Sequence, residues 1–373
     1  SFLIDTYKGD ISDCDFPRYM LFVVFFPQLI AGPIVMQKET IPQFRLSVFK
    51  NRLFMNFAVG STLFVIGLFK KIVLADGIAP YANDVFGLAE TPAGVPFEAA
   101  WLGALAYSFQ LYFDFSGYCD MALGLARFFG IRLPVNFNSP YKATSISDFW
   151  RRWHITLSHF LRDYLYIPFG GNRCGSMRRY ANLMATMLLG GLWHGASWTF
   201  VFWGGLHGAY LAVNHGWSAM IRAGYVPAFL PAPVATLAGR VLTFLAVVVA
   251  WVFFRAESFS GAGNILAGMT GLSTVYEPRL WDGVTAQTAP IWAAMICLAI
   301  IVFLLPNSIE FTERYNPVLG LKKFLRDRRP EGFLPLRWQP TTGWAAAISL
   351  LFAVALVQTY RLAELTEFIY FNF

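Results

Sequence analysis

The sequence predicts an all-α fold, a polytopic transmembrane helical bundle, on three observations. Of the 373 residues, 56% are hydrophobic and only 14% charged, with a mean hydropathy of +0.49, which is too apolar for a soluble chain of this length. The apolar stretches run to about 20 residues, enough to cross a bilayer as helices and unlike the short alternating segments of a membrane barrel. The cations gather between those stretches: 29 Lys and Arg against 22 Asp and Glu give a net charge of +7. That placement reads as a topology signal and not as a nucleic-acid surface, so no nucleic-acid partner is expected.

The elements follow in order. Ser1-Phe2-Leu3-Ile4-Asp5 has no initiator Met, basic n-region or signal-peptide core, and reads as the middle of something longer. Leu21 to Val35 is apolar but broken by Pro27, Gly32 and Pro33, which suits an irregular or re-entrant piece. Leu53 to Ala75 is a clean span ending at Lys70 and Lys71, whose stems are expected to snorkel to the interface. Phe97 to Phe129 carries Gln110, Asp114, Ser116 and Asp120, so one face must look into the protein. Arg132 to Tyr180 is polar, aromatic and basic, and the positive-inside rule puts it in the cytoplasm.

Ala181 to Leu192 and Trp198 to Val213 follow, joined by a Trp193-His194-Gly195-Ala196 step, then Val234 to Phe254, Ile291 to Pro306 and Gly343 to Tyr360. A second basic loop, with Lys322, Lys323, Arg326, Arg328, Arg329 and Arg337, separates the last two and is also expected to be cytoplasmic. Residues 1–373 show no internal repeat or disordered linker and read as a single membrane-embedded domain. Cys14, Cys119, Cys174 and Cys297 are scattered without CxxC spacing and read as unpaired packing residues.

His194 is the principal candidate. From Tyr180 to Ile221 there is no Asp, Glu, Lys or Arg, and desolvation there penalises imidazolium, leaving a lone pair free to take a proton. An ionisable group at membrane depth marks function by default. The alternative is a histidine that hydrogen-bonds neighbouring helices.

The densest polar sequence runs Ser147-Asp148-Phe149-Trp150-Arg151-Arg152-Trp153-His154 and on to Ser158-His159. Read as one helix, it puts Arg151, His154 and Ser158 on adjacent turns of one face. Trp150 and Trp153 would anchor it at the interface, and Arg151 and Arg152 would hold a phosphate-bearing donor or serve as ordinary positive-inside charges. Gln110 and Asp114, on a stripe with Tyr107 and Gly117, would line a reaction tunnel or join helices by hydrogen bonds.

Paired histidines invite a haem reading of His194 and His207. Thirteen residues at about 100° each would turn them roughly 220° apart on a continuous helix, so no metal is expected. The chain has no GxSxG elbow, HExxH motif or Walker loop. His159 and Asp163 form HxxxD and read as structural.

Five ordered blocks carry a resemblance: Phe26-Pro27-Gln28-Leu29-Ile30-Ala31-Gly32-Pro33, Gly67-Leu68-Phe69-Lys70-Lys71, Tyr112-Phe113-Asp114-Phe115-Ser116-Gly117-Tyr118, Trp150 to His154, and Gly190-Gly191-Leu192-Trp193-His194-Gly195. With the terminal Phe368-Ile369-Tyr370-Phe371-Asn372-Phe373, they resemble the membrane-bound O-acyltransferase family and, within it, the alginate O-acetyltransferase branch. The resemblance implies re-entrant and interfacial helices around a central tunnel lined by Trp193, Gln110 and Asp114. It implies that His194 is the family's membrane histidine, that His154 is its upstream catalytic partner, and that the family's first helices are missing here.

It also implies an O-acetyltransferase of the bacterial inner membrane that holds no permanent cofactor. Such an enzyme takes acetyl from a cytoplasmic thioester, acetyl-CoA, and serves an exopolysaccharide such as alginate through a periplasmic SGNH-type acetyltransferase. The rival reading is a transporter of a small acetylated or anionic solute with His194 and Asp114 as a proton relay. A scaffold for polysaccharide assembly is a third.

Overall fold

The computed structural model describes residues 2–9, 15–29, 32–44, 53–173, 175–225, 231–275, 277–321 and 336–361. Cys14, Cys174, Lys322, Lys323, Arg326, Arg328, Arg329 and the Phe368 to Phe373 block lie outside them. Among the described residues the architecture is helical, as the apolar runs predict. Leu53–Phe69 (α1) leads through a π-helical turn at Lys70–Ala75 into Asp76–Ala89 (α2), a helical stretch of 37 residues.

Phe97–Phe128 (α3) is the axis of the fold. At 1.5 Å per residue its length is about 48 Å, and α1, α2, Ala232–Arg255 (α8), Phe259–Thr270 (α9) and Thr288–Leu304 (α10) all pack on it. Glycines set the approach of α1: a Cβ on Gly67 would strike the Gly117 carbonyl and one on Gly124 the Gly60 carbonyl. Small residues at a helix crossing let backbones pack closely where lipid supplies no hydrophobic drive.

Among the described residues, three helical stretches are long and apolar enough to cross a membrane, Leu53–Ala89, α8 and Thr342–Arg361 (α11). A fourth, Pro278–Thr285 with Thr288–Leu304, is bent by 52°. α3 carries Gln110, Asp114, Ser116 and Asp120, all of them buried, so these polar residues face protein and not lipid.

The expectation for Lys70 and Lys71 is corrected. The helix does not end there, and the lysines do not snorkel. Lys71 Nζ lies 2.8 Å from Asp76 Oδ1 and 2.7 Å from Asp114 Oδ1, and Lys70 Nζ lies 2.6 Å from Asp120 Oδ2. Carboxylates on α3 supply counter-charge inside the protein, where low dielectric strengthens each pair, so the ammonium groups turn inward.

Part of the basic segment from Arg132 to Tyr180 also enters the core. Ile146–Arg152 (α4) is capped by Ser145, whose side chain accepts from Asp148 N–H, and Ile155–Leu161 (α5) follows after a break. The single helix expected here is therefore two, and the one-face alignment of Arg151, His154 and Ser158 does not form. Nor is Trp153 an interface anchor: it is 2% exposed, stacked on Phe149 and tilted against Trp251. Trp150 packs inward against His207. For side chains this large, packing among other aromatic rings outweighs an interfacial seat.

Candidate active site

Gly175–Trp193 (α6) and Trp198–Arg222 (α7) form a helical hairpin. Its tip is pinned by glycine: a Cβ on Gly191 would strike the Phe200 carbonyl, and one on Gly204 the Met187 carbonyl. The turn between them holds His194, whose N–H donates to Gly191 O at 3.0 Å, and Ser197 caps α7 by accepting from Thr199 N–H. His194 is thus outside either helix. Its ring is 4% exposed and sits edge-on to Trp193, Phe254 and Trp203, with centroids 5.0, 5.1 and 5.3 Å away.

His154 comes to the same place from the break between α4 and α5. Its φ of +40° is left-handed, a conformation that costs a non-glycine residue about 1–2 kcal/mol. Neighbouring bonds hold it: Asn138 N–H to Arg152 O at 2.9 Å, Ile155 N–H to Asn136 O at 3.0 Å and Thr156 Oγ1 to Asn136 Oδ1 at 2.6 Å. Backbone held in a sparsely populated region by its surroundings is a recurrent mark of functional sites. The His154 ring is buried, edge-on to Phe115 at 4.8 Å and to Trp193 at 6.5 Å. Burial first, then His194 nearby, hold its imidazole well below the usual histidine range. Two histidines far apart in sequence therefore share one indole, that of Trp193.

The remaining site residues separate. Arg151 is exposed and lines a cavity of about 450 Å3 with Arg179, Arg222, His215, Asn214 and Ser147. Arg152 is held by Asp148, Nε to Oδ1 at 2.9 Å, and does not line it. Asp114 is clasped by Lys71, which is the helix-joining role weighed for it. Gln110 is buried on the same helix. Trp193 is 57% exposed, so its outer face is open while its ring touches both histidines. Asp163 takes Arg162 at 2.6 Å, and His159 also acts on its carboxylate electrostatically.

His194 and His207 do not lie on one continuous helix as expected, because the chain turns at 194–197. Both rings instead touch Trp203, at 5.3 and 4.9 Å. Sequence reasoning also passed over Arg179, Arg222 and His215 as cavity residues. Their signal was legible for one element: His215, Ser218 and Arg222 recur at spacings of three and four, one face of α7.

Residues 3–253 match the model of the membrane-bound O-acyltransferase family. The chain belongs to that family. Relatives of this chain include the peptidoglycan O-acetyltransferase of Helicobacter pylori, 47% identical over 79% of this chain and 57% of that protein. The probable alginate O-acetylase AlgI of Azotobacter vinelandii is 39% identical over 100% of this chain and 73% of that protein. A teichoic acid D-alanyltransferase of Streptococcus thermophilus is 27% identical over 58% of this chain and 54% of its own length. The chain thus spans between about half and three quarters of the relatives it matches.

Proposed function

We propose that this membrane O-acyltransferase takes an acetyl group from acetyl-CoA on the cytoplasmic side of the bacterial inner membrane and passes it across for O-acetylation of an exopolysaccharide such as alginate. The observation that carries this reading is the convergence of His154 and His194 on Trp193, at one end of a helical hairpin whose other end opens on an arginine-rich cavity. Arg151, Arg179 and Arg222 suit the phosphates of the donor, since guanidinium groups bind phosphate through paired hydrogen bonds. Their concentration at that end also supports a cytoplasmic orientation.

In the proposed reaction neutral His194 takes the proton of an acceptor hydroxyl while its oxygen attacks the acetyl carbonyl carbon. The carbon–sulfur bond then breaks, and the departing thiolate takes the proton back from His194, leaving an acetyl ester and free thiol. His154 orients the acyl group or donates to the developing oxyanion. Because the polysaccharide lies beyond the membrane, a periplasmic SGNH-type acetyltransferase is the expected partner. Peptidoglycan is the second candidate acceptor, favoured by the 47% identity to a peptidoglycan O-acetyltransferase.

The test is transfer of label from acetyl-CoA in membranes carrying His194→Ala or His154→Ala at equal protein level. Loss of transfer in both is expected. Undiminished transfer in His194→Ala overturns the reading, and a labelled solute that crosses chemically unchanged points to a transporter instead.

A further inference from the structure

Two neighbouring hydrogen-bond donors in the core of this site lack an acceptor among the described residues. Trp150 Nε1–H donates to His207 Nδ1 at 3.3 Å. An indole nitrogen only donates, so Nδ1 holds a lone pair and the proton of His207 sits on Nε2. That Nε2–H has no acceptor among the described residues, and neither has Trp203 Nε1–H. Trp203 and His207 are 2% and 0% exposed, and buried donors in native proteins are nearly always paired. Two together, one helical turn apart on α7 with ring centroids 4.9 Å apart, point to an acceptor that arrives with a ligand.

Their surroundings say which acceptor. Phe149 stacks on His207 at 6.0 Å, and Trp251 packs on both rings at 5.6 and 6.2 Å. A fully charged phosphate or carboxylate placed among these rings would lose its hydration with no counter-charge. A neutral carbonyl oxygen accepts two hydrogen bonds through its two lone pairs without that penalty. Position says which carbonyl: Trp203 is the residue that also touches His194. His207 lies between Trp203 and Asn214 of the basic cavity, and the eleven residue steps from Asn214 to Trp203 span about 16 Å of helix.

We propose that Trp203 and His207 are binding residues for the carbonyl oxygen of the donor's acyl group, holding it beside His194. Trp150 fixes the tautomer of His207 and is a positioning residue. This rests on the acetyl-CoA reading above.

The test uses the full chain in lipid nanodiscs and two CoA analogues that cannot transfer. In the first, a methylene replaces the thioester sulfur and the ketone is kept; in the second, that ketone oxygen is replaced by two hydrogens. The ketone is expected to bind ~10-fold tighter, the scale of one well-made hydrogen bond. Trp203→Phe and His207→Phe are each expected to bring the ratio towards one, and His207→Gln, which keeps a donor, to restore most of it. A ratio near one in the unmodified protein, or a ratio that neither aromatic variant changes, overturns the proposal while leaving acetyl-CoA as donor. Failure of both analogues to bind the unmodified protein overturns the donor reading and this inference with it.

Discussion

Lys71 and Asp114 lie 2.7 Å apart, one on a π-turn and the other at mid-length of α3, with side chains 4% and 2% exposed. Asp76 shares the ammonium at 2.8 Å. Removing one member of a buried pair leaves an uncompensated charge, at a cost of about 3–5 kcal/mol. Lys71→Met, which strands two carboxylates, is expected to lower the unfolding temperature in detergent more than Asp114→Asn, which leaves Lys71 with Asp76. Thermal unfolding followed by tryptophan fluorescence checks the order, and a Lys71→Met protein as stable as the parent contradicts it.

Arg151 and Arg152 are adjacent in sequence and differ in partner. Arg151 faces the basic cavity, whereas Asp148 occupies Arg152. Arg151→Ala is expected to raise KM for acetyl-CoA by ~10-fold with little change in kcat, on the scale of one charge-assisted hydrogen bond. Arg152→Ala is expected to leave KM within about twofold, since Arg152 does not line the cavity. Equal effects from the two would remove Arg151 from donor binding.

The glycine contact at the hairpin tip gives a packing prediction. Gly204→Ala pushes a methyl into the Met187 carbonyl, and overpacking of this kind typically costs about 1–3 kcal/mol. Because the same contact seats the His194 turn, acetyl transfer is expected to fall along with stability. Gly216→Ala on the same helix, where nothing lies within 4 Å of an added Cβ, is the control expected to leave both intact. Steady-state transfer and thermal unfolding of the two proteins decide it.

Trp193 supplies a fourth prediction. Its indole touches both catalytic candidates while 57% of it is exposed. Trp193→Ala is expected to cut kcat by at least tenfold through loss of their common support, the scale on which misplaced groups slow a reaction. Trp193→Phe, which keeps a ring, is expected to retain more than half of the activity. A Trp193→Ala enzyme with parental kcat would show that the histidines hold each other without it.

The spanning helices were legible because lipid imposes a long apolar run, and the starts read at Leu53, Phe97 and Val234 fall within two residues of the structure. The break at His194 was legible too, since the Trp193 to Ala196 step interrupts two apolar runs. What the sequence could not display was partnership. Lys71 reads as a helix-end charge until Asp114 is seen beside it, and Trp153 reads as an interface residue until Phe149 and Trp251 enclose it. The left-handed backbone of His154 has no local signal at all, because it is imposed by Asn136 and Asn138 from another segment.

A helix of fixed pitch between a charged mouth and a buried imidazole is also a ruler. Adding one residue to α7 between Asn214 and Trp203 would lengthen the path by about 1.5 Å and swing one end through about 100° relative to the other. On the proposal of an acetyl-CoA donor, the reach demanded of that donor is set by the number of residues in that helix. A carrier whose thioester lies closer to its phosphates would be anchored and still fall short of His194.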